Sequence, residues 1–258
     1  MSFLTEILVS TSERVARSKR AFSPERLQEG ADLAEPPRGF KAALGASEEV
    51  ALVAEIKRAT PSEGILDASL DARVLAASYE RGGASAISVL TEPHHFLGSI
   101  EDLVGARAAV SLPVLRKDFI IDEWQVIESR SAGADAVLLI ARCIQGDLAS
   151  FVDRCRALGM DALVEVFDET DVERALAAGA DLIGINHRDL ETFEMDPERT
   201  ARLLPSIPPD VMTVSLSGVT ERSEVVAYGH AGASAVLVGT GLVRAADPSE
   251  KLKELLGR

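Results

Sequence analysis

Two lysines and two glutamates stand where short apolar runs end: Glu55 and Lys57 in VAEIKRATPSEG, Lys117 in PVLRKDFIID, and Glu165 in ALVEV. Alternate residues of an extended segment share a face, so Val53, Glu55 and Lys57 point one way, as do Leu163 and Glu165. A Glu-x-Lys pair directed into apolar surroundings sets opposite charges side by side at low dielectric. One such pair could simply plug a core. Two lysines and two glutamates converging from three segments instead make a set able to give and take protons. Asn186, His187 and Arg188 follow another apolar run, and alternation allows only one of Asn186 and His187 to face the same site.

A second chemistry is suggested further along. Ser217-Gly218 and Gly239-Thr240-Gly241 offer small residues, hydroxyls and unobstructed backbone N–H groups, the components of an anion cradle. Lys57, Lys117 and Arg188 would add positive charge. Phe119 shares the alternation parity of Lys117 and is placed to wall an aromatic ligand, whereas Trp124 reads as helix packing. His94 and His95 fall in a TEPHHFLG loop and His230 ends a helical stretch. None has a partner at metal-ligand spacing, so surface or loop roles and no metal are expected. Cys143 has no evident base beside it, and with Cys155 it makes neither a zinc pattern nor a disulfide framework.

The elements that must position these residues follow from the hydrophobic pattern. Strand-length apolar runs occupy Ala51–Ile56, Ala86–Leu90, Pro113–Leu115, Ala136–Ile140, Ala162–Val166, Leu182–Ile185, Val211–Val214 and Ala235–Val238, with charged, helix-spaced stretches between them. GGASAISVL, AGADAVLLI, AGADLIGI and AGASAVLVG repeat before the second, fourth, sixth and eighth runs. Four such double units predict an α/β fold, a single (β/α)8 TIM barrel over residues 48–258, in which functional groups gather at the C-terminal ends of the strands. No GxGxxG follows the first run, which disfavours a dinucleotide fold. Residues 1–47 predict an N-terminal helical extension. Leu4, Ile7, Leu8 and Val15 are helix-spaced and Leu27, Leu33 and Phe40 are scattered among charges, giving one or two helices with a loop through Pro36 and Pro37 that cap the barrel as part of one domain.

Composition narrows the partners. The chain has 258 residues, 27 basic and 41 acidic, for a net charge of −14, which argues against nucleic-acid or anionic-membrane binding. A hydrophobic fraction of 47% supports a large core. Two cysteines and an N-terminus lacking a signal-peptide apolar run fit the cytoplasm. A monomer or weak homodimer is expected.

Taken together, VAEIKRATPSEG, SVLTEPHHFLGS, PVLRKDFIID, ALVEV, IGINHRDLETF and VLVGTGLVR resemble the indole-3-glycerol phosphate synthases over nearly the whole chain. The resemblance implies cyclisation of 1-(2-carboxyphenylamino)-1-deoxyribulose 5-phosphate, a phosphorylated anthranilate derivative, with loss of CO2 and water and without metal or cofactor. It implies Lys117 as general acid and Glu165 as the carboxylate assisting proton removal. Glu55 and Lys57 would hold the network, with Asn186 and Arg188 around the reacting centre. Ser62, Ser217, Gly218, Gly239 and Thr240 would contact phosphate and substrate, and Phe96 and Phe119 would wall the anthranilate ring. One departure bears on chemistry: Leu216 stands before Ser217-Gly218 where the family usually has Glu, which would weaken the charge network and admits a paralogue of altered substrate or reduced activity. A Schiff-base aldolase using Lys57 or Lys117 and a weakly active binding protein are the rival readings.

Overall fold

Alternation along eight strands builds two cores in one molecule. The computed structural model describes residues 2–258 and places β1 (Ala51–Ile56), β2 (Ala86–Leu90), β3 (Val114–Lys117), β4 (Ala136–Ile140), β5 (Asp161–Val166), β6 (Leu182–Asn186), β7 (Met212–Leu216) and β8 (Ala235–Val238) in one closed parallel barrel in sequential order. Outward residues such as Leu52, Ala54, Ile56, Ile87 and Val89 pack beneath the surrounding helices. Inward residues such as Ala51, Val53, Leu115, Leu138, Leu163 and Leu237 fill the barrel. This is the expected (β/α)8 architecture. No helix among the described residues is long and apolar enough to cross a membrane.

The four repeated phrases have a backbone explanation. Gly83, Gly133, Gly179 and Gly232 each adopt positive φ, between 73 and 104°, where a helix ends and turns toward an even-numbered strand. Glycine takes this conformation without steric cost. The next polar residue ties back to the preceding odd strand: Ser85 N–H bonds Leu52 O, Asp135 N–H bonds Val114 O, and Ser234 N–H bonds Thr213 O.

Two strands end two residues beyond their apolar runs. β3 begins after Pro113, which has no N–H to give the ladder, and continues through Arg116 and Lys117, which pair with Val89 and Leu90. β7 runs to Leu216, opposite Asn186. Ladder pairing, not hydrophobicity, sets these ends.

The N-terminal extension forms three helices rather than one or two: α1 (Phe3–Ala21), α2 (Pro24–Leu33) and α3 (Phe40–Gly45). The additional break arises at Ser23, whose hydroxyl caps α2 by accepting from Arg26 N–H, with Pro24 at the first helical position. Pro36 and Pro37 lie in the linker to α3, whose Phe40 and Leu44 are buried against the barrel interior. Leu33 is not part of the docked face, being 79% exposed.

α1 is fastened beside the catalytic candidate Lys117. Arg14 donates two hydrogen bonds, 2.8 and 2.7 Å, to the buried carboxylate of Asp118, which also accepts from Thr91 and Arg116. Ser18 and Lys19 of the same helix bond Glu128 and Asp122, and Trp124 donates its indole N–H to Ser18. Burial alone would raise the Asp118 carboxyl, but the guanidinium groups of Arg116 and Arg14 outweigh it and hold the pKa far below the usual carboxylate range. Its contribution to stability is therefore present above the unfolded-state pKa near 4 and is lost as pH falls. Asp118→Asn leaves two guanidinium groups short of their counter-ion, and urea denaturation at neutral pH is expected to show a loss of about 3–5 kcal/mol.

Candidate active site

Each inward-facing polar residue sits where its strand reaches the C-terminal rim. Glu55 is the last inward side chain of β1, and Lys57 follows two residues on. The Glu55 carboxylate holds Lys57 Nζ at 2.7 Å through one oxygen and faces Lys117 Nζ at 3.9 Å through the other. Lys117, closing β3, completes this pairing across the barrel mouth.

Glu165 on β5 is 1% exposed and lies just behind the cavity wall. Its Oε1 accepts from Asn186 Nδ2 at 3.0 Å, while Oε2 is buried without a hydrogen-bond partner. The Asn186 amide is oriented by its other end, since Oδ1 accepts from Ser217 Oγ at 2.9 Å and Arg188 N–H at 3.1 Å.

The two carboxylates are pushed in opposite directions. Burial penalises the charged form of both. At Glu55 the two neighbouring ammonium groups win, and its pKa is lowered. At Glu165 burial wins over Lys117 and the Asn186 hydrogen bond, with Glu55 adding to the upward shift. Environments that separate two carboxyls in this way favour the charged form at one and ease proton uptake at the other.

These groups open on a cavity of about 370 Å³ lined by Lys57, Lys117, Asn186, Arg188, Phe96, Phe119, Ser217, Gly218, Gly239 and Thr240 among others. The structure thus brings together nearly all the residues singled out above. Ser62 is the exception. It is exposed at the turn of a small hairpin formed by Ala59–Thr60 and Gly64–Ile65, bonds only Thr60 at 3.3 Å, and leaves Thr60, Pro61 and Glu63 to line the cavity. The hairpin geometry lifts Ser62 away from the wall. His187 faces outward, as alternation requires, while His94 and His230 are exposed. Cys143 and Cys155 are buried, their thiols pushed up to about 12 chiefly by desolvation. No group of three or more potential metal ligands occurs among the described residues.

Several lining residues have no sequence signature. Phe3 of α1 stacks edge-on against His95 and Phe193, each ring centre 5.0 Å away, and so roofs the cavity. Arg244 pairs with Glu63 at 2.6 Å, tying the segment after β8 to the hairpin after β1. Glu92 accepts from the N–H groups of His94, His95 and Phe96, shaping the turn that presents Phe96. Phe3 and Arg244 are ordinary residues until tertiary contacts place them. Glu92, buried in a loop and followed by proline, was the one detectable signal.

Leu216 lies at the floor of this site, 1% exposed, over Gly184 and near Leu163. A Cβ at Gly184 would stand 2.8 Å from the Leu216 side chain, so the two positions fit one another. With leucine there, Glu55 is, among the described residues, the one carboxylate in ion-pair contact with the two lysines.

Comparison with known proteins then decides the family. The sequence profile described as indole-3-glycerol phosphate synthase matches residues 4–255. The chain belongs to the indole-3-glycerol phosphate synthase family. The indole-3-glycerol phosphate synthase of Mycolicibacterium vanbaalenii is 47% identical over 98% of this chain and 93% of its own, and that of Desulfosudis oleivorans 46% identical over 98% of both. Among solved structures, 3-hexulose-6-phosphate synthase superposes with a TM-score of 0.62 at 18% identity, covering 81% of this chain and 99% of the other. Thiamine phosphate pyrophosphorylase from Pyrococcus furiosus gives 0.59 at 16%, covering 81% and 94%. At such identities these two show the barrel fold alone.

For this indole-3-glycerol phosphate synthase family member the closeness of packing at Gly239 supplies a test. A methyl group there would collide with Glu55 Oε1 and lie 2.8 Å from Lys57 Nζ. Gly239→Ala is expected to displace the Glu55–Lys57 pair and lower kcat/KM by about 10²-fold, with a far-ultraviolet spectrum like that of the parent. Parent-like turnover would separate the pair from the chemistry.

Proposed function

We propose that this cavity performs the ring closure of 1-(2-carboxyphenylamino)-1-deoxyribulose 5-phosphate to indole-3-glycerol phosphate, with the residues above in defined roles. Membership of the family makes the chain a carboxy-lyase of tryptophan biosynthesis acting on a small phosphorylated substrate. The observation that carries the residue assignment is the opposed behaviour of the two carboxylates around Lys117, one in contact with both ammonium groups and lowered by them, the other without an ion pair among the described residues and raised by burial.

Lys117 is the general acid. As the ring carbon bearing the carboxylate bonds to the substrate ketone carbon, the ketone oxygen takes a proton from the Lys117 ammonium and becomes a hydroxyl. The carboxylate leaves as CO2, its bonding electrons returning to the ring. Loss of that hydroxyl as water then needs a proton given to oxygen and one taken from the ring system, for which Glu165, hydrogen-bonded to Asn186, is the base. Glu55 keeps Lys57 and Lys117 charged and in place, with Lys57 at the substrate carboxylate or as a second acid. Phe96 and Phe119 wall the anthranilate ring. Backbone N–H groups of Gly218 and Thr240, which bond no carbonyl of the described residues, receive the phosphate with Ser217 and Gly239.

We propose a monomer or weak homodimer in the cytoplasm; the two free, buried thiols support the compartment, and the acidic composition supports the absence of nucleic-acid or anionic-membrane partners. Incubation with the anilino-deoxyribulose phosphate, followed by indole fluorescence, tests the activity directly. Lys117→Ala should lower kcat by about 10²–10⁴-fold with little change in KM; parent-like turnover would remove it from the mechanism.

The pH profile tests Glu165. Its base form appears only as pH rises through a pKa lifted by burial, so the acid limb of kcat/KM should lie above the usual glutamate value of about 4.3. Glu165→Gln should abolish that limb along with most of the activity. A limb that persists unchanged in the variant would belong to another group.

A further inference from the structure

His187 is fully buried, is not among the residues that line the cavity, and is engaged on every side. Its ring stacks on Tyr228 with centres 4.7 Å apart and planes within 13°. Nε2 lies 2.7 Å from Thr200 Oγ1, which in turn is 3.0 Å from Ser215 Oγ. Nδ1 lies 3.3 Å from the backbone oxygen of Ser217. A carbonyl oxygen only accepts, so Nδ1 carries the proton and Nε2 accepts from the Thr200 hydroxyl. Burial favours this neutral ring, lowering its pKa below the ordinary histidine value.

The residue held by this bond is unusual. Ser217 adopts φ of 70°, a left-handed conformation that a side chain disfavours, and Gly218 follows at 82°. Carbonyl and N–H point in opposite directions across a trans peptide. A Ser217 carbonyl drawn outward to His187 therefore turns the Gly218 N–H the other way, into the cavity that Gly218 lines, and that N–H has no acceptor among the described residues.

We propose that His187 is a positioning residue for phosphate: by holding the Ser217 carbonyl outward it aims the Gly218 N–H at a phosphate oxygen. The role rests on the phosphate end of the cavity identified above and adds to it the group that orients its donor. His187 itself touches no ligand. The same grip steadies the Ser217 hydroxyl on Asn186, so the anion cradle and the proton-transfer groups share one support.

The experiment compares inorganic phosphate binding by the parent, His187→Gln and His187→Asn, read from the Gly218 amide in 15N–1H spectra. An asparagine amide nitrogen falls near the place of Nδ1 and keeps the donor; a glutamine amide falls near Nε2 and cannot. The glutamine variant is expected to bind phosphate about tenfold more weakly, with KM for the phosphorylated substrate rising in proportion and kcat falling much less, while asparagine restores affinity to within about twofold. Equal phosphate affinity in the parent and the glutamine variant overturns the role of His187 alone. Phosphate that fails to perturb Gly218 in the parent overturns the cradle as well. On the parent protein, His187 nitrogen shifts must report the Nδ1–H tautomer; an Nε2–H ring overturns the proposal whether or not either variant folds.

Discussion

Everything at the barrel mouth depends on one carboxylate being outnumbered. Glu55 is 3% exposed, a position that by itself favours the neutral acid, yet it contacts two ammonium groups and stays charged. The consequence reaches Glu165, which has no ion pair of its own and feels the Glu55 charge as repulsion. A buried carboxyl pushed upward by desolvation and a like-charged neighbour is suited to exchange protons more readily than an exposed one, whereas one clamped by lysines is suited to hold them in place. The two lysines are thus the cause of the division between the glutamates.

Leu216 sharpens that division. A third carboxylate at the end of β7 would compete with Glu55 for the same lysines. Leucine instead packs into the space above Gly184 and keeps the floor apolar. Ionic contacts therefore concentrate on β1 and β3, and hydrogen bonding concentrates on β5, β6 and the turn after β7. Asn186 is the joint between the halves. It gives a hydrogen bond to Glu165 and takes one from Ser217, so a shift of the turn after β7 is transmitted to Glu165 through two hydrogen bonds.

The parts of this arrangement that follow from chain periodicity were legible in the sequence. Alternation placed Glu55 with Lys57 and separated Asn186 from His187, and the repeated glycines marked the helix ends that precede the even strands. Motif resemblance carried Lys117, Glu165 and the two glycine turns into one site. What escaped detection depends on distance in the chain. Phe3 reaches the cavity because α1 is tied down by Arg14 on Asp118, 104 residues away. Arg244 meets Glu63 only once the barrel closes β8 against β1. Ser62 was misplaced for a local reason, a hairpin whose two-residue arms are too short to register as alternation. The break between α1 and α2 was missed because it is set by the Ser23 cap and Pro24 and not by any change in hydrophobic spacing.

Net charge illustrates the difference between a composition and a field. At −14 the chain as a whole repels anions. The cavity reverses the sign: Lys57, Lys117, Arg188 and Arg244 face Glu55, Glu63 and Asp189 there. One of those carboxylates is bound to the lysines and another to Arg244, so pairing neutralises two of the three acids while the Gly218 and Thr240 backbone adds uncharged N–H donors. Because low-dielectric walls strengthen local fields and exposed charges beyond roughly 10 Å are screened at physiological salt, an anionic substrate at the rim responds to these few groups and not to the distant acidic helices. An acidic exterior and an anion-seeking interior are therefore compatible in one small barrel, provided the cations stand at the strand ends where the closed sheet directs them.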